Sequence, residues 1–301
     1  MDEQPTIDGE KQFVINLLTT LRTERFSALA WWRFLVRSWD MSCETANHNP
    51  ALKHSWWRVT LLMGVLTALV CLSTGFFEGF FFALRLMPGF VCFVGWQQSD
   101  LFWHLGLNRS THTNALFSTV GVANVLTGVR GLGAAFLLGR LVGGLSTPIW
   151  LALVVFLVGV LTDILDGLVA RYTKTQSKLG QIIDGEADFC LYLALSVILV
   201  QNAILTPWLG TLLVLRFFVP LIAALLSYFL FAHPVRFGST LWGKGAGIAQ
   251  CLYFMVLLAP KQFAETTHSI DAPLLIVTLL LTFVAPIAQI LKNNSVFARV
   301  K

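Results

Sequence analysis

Residues 163–188 read D-I-L-D-G-L-V-A-R-Y-T-K-T-Q-S-K-L-G-Q-I-I-D-G-E-A-D, from Asp163 to Asp188. Two carboxylate pairs, Asp163/Asp166 and Asp184/Asp188, flank a short basic connection, and each sits at the end of a long apolar run. An Asp at the centre of a membrane helix costs about 2.5–3.5 kcal/mol on insertion scales, so acids in such segments point to function. Positions 163, 166, 167, 170 and 171 share one face of a helix, and positions 180, 184 and 188 share another. If the two helices are antiparallel neighbours joined by 172–179, their carboxylates converge. Four carboxylates at close quarters cannot all stay ionised unaided. Hard divalent cations relieve that repulsion, and oxygen-only ligands suit Mg²⁺, Mn²⁺ or Ca²⁺ better than zinc. Gly167 leaves room for a close approach to the first helix, and Gly180 opens the second element. Arg171, Lys174 and Lys178 add positive charge, which suits a diphosphate.

Working outward, the chain is 56% hydrophobic and 12% charged, against about 25% charged for soluble domains. Apolar runs fall near 59–75, 79–97, 115–138, 147–169, 185–202, 207–232, 246–259 and 273–291, most of them near the roughly 17–25 residues a span needs. The fold class is an all-α polytopic membrane protein. Run 79–97 is interrupted by Arg85 and Pro88, and we expect it to span rather than turn back. Residues 12–40 alternate aromatics with Arg22, Arg25, Arg33 and Arg37. They read as an amphipathic helix lying on an anionic leaflet or packed on the protein's own cytoplasmic face. Residues 41–54 read as a loop, and 98–114 as a polar stretch along the interface. The start carries no basic-then-apolar secretory pattern.

Lys and Arg placement predicts orientation. Arg171, Lys174 and Lys178, then Arg236 and Lys244, then Lys292, Arg299 and Lys301 fall on one side, which puts the acidic face in the cytoplasm. Arg140, at the far end of its run, counts against this. Five scattered cysteines without a CxxC pair read as small buried hydrophobes. A net charge of +5 without a basic-aromatic array suits anionic lipid and argues against nucleic acid.

The pattern D-x2-D-G-x2-A-R-x8-G-x3-D-x3-D resembles, at every defined position, the signature of the CDP-alcohol phosphatidyltransferases. The resemblance implies a six-helix membrane core, two divalent cations (Mg²⁺ or Mn²⁺) and a homodimer. It implies transfer of a phosphatidyl group from CDP-diacylglycerol to an alcohol acceptor, with CMP released. On it, Asp163, Asp166, Asp184 and Asp188 bind the metals, Asp188 is also the general base, and Gly167, Ala170 and Arg171 line the CMP moiety. It divides the chain into an amphipathic segment (1–56), two extra hydrophobic helices with a linker (57–114) and the catalytic core (115–301). Asn124, Thr127 and Arg130 form a polar stripe on an apolar run and look like the N-x2-T-x2-R opening of many members. There Asn124 and Thr127 line the nucleotide, and Arg130 is assigned to substrate. An intramembrane Arg216 needs a phosphate or a buried carbonyl as partner.

Gly243, Lys244 and Gln250 resemble a segment of phosphatidylglycerolphosphate synthases, although Ala246 and Gly247 replace its second Lys and Thr. Lys244 at a helix N-terminus, with Arg236 and Arg216, suggests a phosphorylated acceptor, glycerol 3-phosphate first. The competing expectations are CDP-choline or CDP-ethanolamine donating to diacylglycerol, a phosphatidylinositol-phosphate or phosphatidylserine synthase, an ion-coupled transporter, and an inactive scaffold.

Overall fold

The computed structural model describes residues 27–218, 241–260, 263, 270–282 and 284, and among them every regular element is a helix. In chain order these are α1 (Ala28–His48), α2 (Pro50–Phe77), α3 (Phe80–Trp103), a 3₁₀ turn (Leu105–Leu107), α4 (Val122–Val142), α5 (Ile149–Tyr172), α6 (Lys178–Gln201), α7 (Pro207–Phe218), α8 (Leu241–Leu257) and α9 (Ile270–Thr282). Four of them, α2 to α5, are long and apolar enough to cross a bilayer. Leu61, Leu72, Phe76, Trp150 and Leu161 point outward, as a lipid-facing surface requires. This is a multi-pass membrane protein.

Helix α4 is the axis of the molecule and packs against α3, α5 and α6, whereas α5 and α6 touch each other far less. Small residues permit this crowding. A Cβ on Gly139 would lie 2.8 Å from the backbone nitrogen of Phe90, and one on Gly143 would lie 2.6 Å from the carbonyl of Arg85. The G-x3-G spacing therefore seats α3 on α4. Beyond that seam, Phe156, Tyr192 and Phe254 bring α5, α6 and α8 into one core. A second core joins α2, α3 and α4 through Met63, Leu86, Phe90 and Ala135.

Three expectations need correction. Residues 41–54 are not a loop. Helix α1 runs to His48, and Pro50 starts α2 after the single residue Asn49, because Pro fits the first helical position, where its missing N–H is not needed. The run 115–138 is helical only from Val122. Asn108 holds 115–121 as a loop by donating to the carbonyl of Thr119, and Gly121 turns the chain at φ +83°. Arg140 is not a free charge marking topology. It is buried, donates to Glu78 at 2.6 Å and to the carbonyl of Ser146 at 2.7 Å, and so clamps the α2–α3 hairpin to the end of α4. Run 79–97 is one continuous helix within α3 despite Pro88.

Residues 28–40 of the expected amphipathic stretch belong to helix α1, which packs against the end of α3. Trp103 Nε1 donates to Ser38 Oγ at 2.7 Å, and Ser42 is buried against the end of α3. Leu29 and Trp32 remain exposed on the other side, while Trp39 packs its ring against Phe102 and Trp103. Arg22 and Arg25 lie outside the described residues, as do Arg236 and the basic C-terminus.

Candidate active site

The site is the end of a three-helix seam at which apolar packing gives way to charge. On α4 the buried positions Ala123, Thr127, Arg130, Ala134 and Leu137 recur at helical spacing. On α5 the seam runs Ala152, Phe156, Gly159, Thr162 and Asp166. On α6 Leu191, Leu195 and Ile198 are buried, and Asp188 and Asp184 continue their line. The same face that packs the bundle thus delivers the carboxylates. Ser177 caps α6 by accepting from the Gly180 N–H at 3.0 Å. A Cβ on Gly180 would lie 2.9 Å from Asn124 Oδ1, so any other residue there would displace the Asn124 side chain.

All four Asp side chains meet Arg130. Its Nη1 lies 2.7 Å from Asp163 Oδ1, its Nη2 contacts Asp184 Oδ1 and lies 3.5 Å from Asp166 Oδ2, and its Nε lies 3.2 Å from Asp188 Oδ1. The last approach is off hydrogen-bond alignment, which leaves the buried Nε without an acceptor. Thr127 Oγ1 donates to Asp166 Oδ2 at 2.8 Å. Asp163, Asp184 and Asp188 are partly open to the outside, whereas Asp166 and Arg130 are buried.

These residues fit divalent cations. Asp163, Asp166 and Asp184 each offer an oxygen, and the three oxygens lie within 4.8 Å of one another. The donors are all hard oxygens, as Mg²⁺ and Mn²⁺ require. Four carboxylates against one guanidinium leave an excess of negative charge in the bilayer, which calls for further cations.

Residues 120–284 match the model of the CDP-alcohol phosphatidyltransferase family, more than half of the chain. The chain belongs to this family. A stretch of 60 residues is 37% identical to a protein of Cereibacter sphaeroides named CDP-diacylglycerol–glycerol-3-phosphate 3-phosphatidyltransferase. That match covers 20% of this chain and 27% of the relative. No solved structure matches.

The remaining sequence-predicted residues of this CDP-alcohol phosphatidyltransferase fall at varying distance from the carboxylates. Arg171 is exposed and folds back along its own helix, so that a Cβ on Gly167 would lie 3.2 Å from its Nη1. The group that approaches Gly167 closely is therefore Arg171 itself. Ala170 is half-buried one turn beyond Asp166. Asn124 donates to the carbonyl of Val120, in the loop just before α4. Arg216 meets a carbonyl, donating to that of Ala246 at 3.0 Å with its guanidinium 4.7 Å from the ring centre of Phe217. Lys244 is exposed in the first turn of α8.

One acidic group lies outside the carboxylate cluster, as its spacing in the sequence predicts. Glu186, on the face of α6 opposite Asp184 and Asp188, shares a cavity with Asp100 of α3, which in turn holds His104 at 3.2 Å. Together with Trp96, Gln97 and Cys190, Glu186 and Asp100 line a cavity of about 240 Å³ between the extra helices and α4 and α6. The i+2 offset from Asp184 announced a different face, but no single sequence announces the partner across it.

Proposed function

We propose that this protein transfers the phosphatidyl group of CDP-diacylglycerol to a phosphorylated polyol, with glycerol 3-phosphate first, and releases CMP at the cytoplasmic membrane face. The observation that carries the reading is the convergence of Asp163, Asp166, Asp184 and Asp188 from two helices, within the residues matched to the family. The name of the C. sphaeroides relative supports the acceptor, as do Lys244 and the basic loops. By the same family resemblance the working unit is a homodimer.

In this reading Asp163, Asp166 and Asp184, with Asp188 beside them, hold the divalent cations. Bound there, Mg²⁺ or Mn²⁺ offsets the charge of the diphosphate and of the leaving phosphate. Asn124, Thr127, Gly167, Ala170 and Arg171 hold the cytidine end of the donor. Asp188, whose side chain is about one-third open, takes the proton of the acceptor hydroxyl as its oxygen attacks the donor phosphorus. A new P–O bond forms, the P–O bond to CMP breaks, and CMP leaves with that oxygen. Lys244 near the start of α8 holds the acceptor phosphate, with Arg236, eight residues earlier in the sequence, as a second cation. Arg216 ties α7 to the first turns of α8, which orients Lys244.

The experiment is an acceptor screen with purified protein, labelled CDP-diacylglycerol and Mg²⁺ or Mn²⁺. CMP release is expected with glycerol 3-phosphate, to be abolished by chelator and restored by either cation. Release with serine alone, or full activity in excess chelator, would overturn the acceptor or the metal reading respectively.

A further inference from the structure

We propose that Arg130 is a positioning residue that holds the four carboxylates together before metal binds and competes with the metal for them. The inference rests on the metal-dependent reading above.

A structural ion pair needs one carboxylate for a guanidinium, and Arg130 has four. Three of those carboxylates, Asp163, Asp166 and Asp184, are the ones whose oxygens crowd into a potential ligand set. The guanidinium therefore sits where a divalent cation would be drawn. Only its contacts to Asp163 and Asp184 are aligned hydrogen bonds, and its Nε is buried without an acceptor. Arg130 thus satisfies the cluster's charge only in part, and the cluster satisfies its donors only in part.

Burial also argues against Arg130 as a direct phosphate ligand. It is 2% exposed, with its donors turned into the acids. Gly159 of α5 and Thr127 of α4 fix its surroundings: a Cβ on Gly159 would meet the Arg130 stem at 3.7 Å, and Thr127 holds Asp166 independently. A fixed positive charge within contact of the ligands must weaken a second cation's binding there by Coulomb repulsion. The same charge offsets the mutual repulsion of the four carboxylates.

The test is Mn²⁺ binding and thermal unfolding of the full chain in detergent for wild type, Arg130→Gln and Arg130→Lys, each purified in Mn²⁺ and then stripped. Arg130→Gln is expected to bind Mn²⁺ about tenfold tighter or more. It should unfold at lower temperature than wild type in chelator, with the gap narrowing in saturating Mn²⁺. Arg130→Lys keeps the charge but loses the fork, and its Mn²⁺ affinity should lie between the other two. Unchanged or weaker Mn²⁺ binding by Arg130→Gln, with weakened cytidine-nucleotide binding, would make Arg130 a substrate ligand and overturn the proposal. If Arg130→Gln cannot be isolated, Arg130→Lys decides: tighter Mn²⁺ binding than wild type supports the proposal, and equal binding overturns it. Failure of both variants to fold even in Mn²⁺ also overturns it, because bound metal should replace the guanidinium. Absence of Mn²⁺ binding by wild type would sink the metal reading as well, whereas binding that ignores residue 130 sinks this inference alone.

Discussion

Thr127 on α4 donates its hydroxyl to Asp166 on α5 at 2.8 Å, inside the buried seam. Hydrogen bonds to charged groups contribute about 1.5–3 kcal/mol. Thr127→Val keeps the shape of the side chain and removes the donor. It should lower kcat/KM for CDP-diacylglycerol by about tenfold or more, read as CMP release against donor concentration. An unchanged value would show that Asp166 needs no orienting partner.

Asp188 differs from the other three acids in its contact. Its oxygen faces the unaligned Nε of Arg130, so it is the carboxylate least committed to a hydrogen bond there. Asp188→Asn should retain cytidine-nucleotide binding and lose turnover by roughly 10²–10⁴-fold, the usual worth of a general base. Asp163→Asn should weaken donor binding along with rate. Equilibrium binding of labelled CDP beside single-turnover rates separates the two.

The carboxylate faces were legible because i, i+3 and i+4 spacing is local geometry. What α4 does was not. Chain adjacency suggested that α5 and α6 are neighbours, and they do touch, as Phe156 meets Tyr192, but each packs far more against α4, whose Arg130 reaches both. A polar stripe tells which face of a helix is special, not which neighbours it meets. The break at Asn49–Pro50 was misread for a related reason: Asn and Pro mark loops and helix starts alike, and only the helical run on both sides decides between them.

Gly139 tests whether the extra helices matter to the site. Its missing Cβ admits the backbone of Phe90. Gly139→Val places carbon where backbone already sits, and overpacking costs about 1–3 kcal/mol. The unfolding midpoint in detergent should drop. Activity at a temperature well below that midpoint should drop as well if α3 supports the site end of α4.

His104 caps α3 and hydrogen-bonds to Asp100, which raises its pKa above the ordinary value of 6.5. A histidine raised on folding contributes stability that is full below its unfolded pKa and fades as pH rises through the folded value. The wild-type unfolding midpoint should therefore fall, relative to His104→Gln, as pH is raised from about 6.5 upward. Parallel curves for the two proteins would remove His104 from the pH response.

The acceptor turns on Lys244. It stands in the first turn of α8, and the start of a helix favours an anion. Arg216 fixes that turn by donating to the carbonyl of Ala246 two residues on. A lysine that only marked topology would be indifferent to substitution in an assay on purified protein. One that binds the acceptor phosphate would not be, since a charged hydrogen bond lost is worth about 1.5–3 kcal/mol. Lys244→Ala should raise the KM for glycerol 3-phosphate by about tenfold or more while leaving the KM for CDP-diacylglycerol within about twofold. Arg216→Met should shift the same constant less, because it acts through the position of the turn. An enzyme that is indifferent to Lys244→Ala with every phosphorylated alcohol, yet turns over serine, would return the basic residues to a topological role.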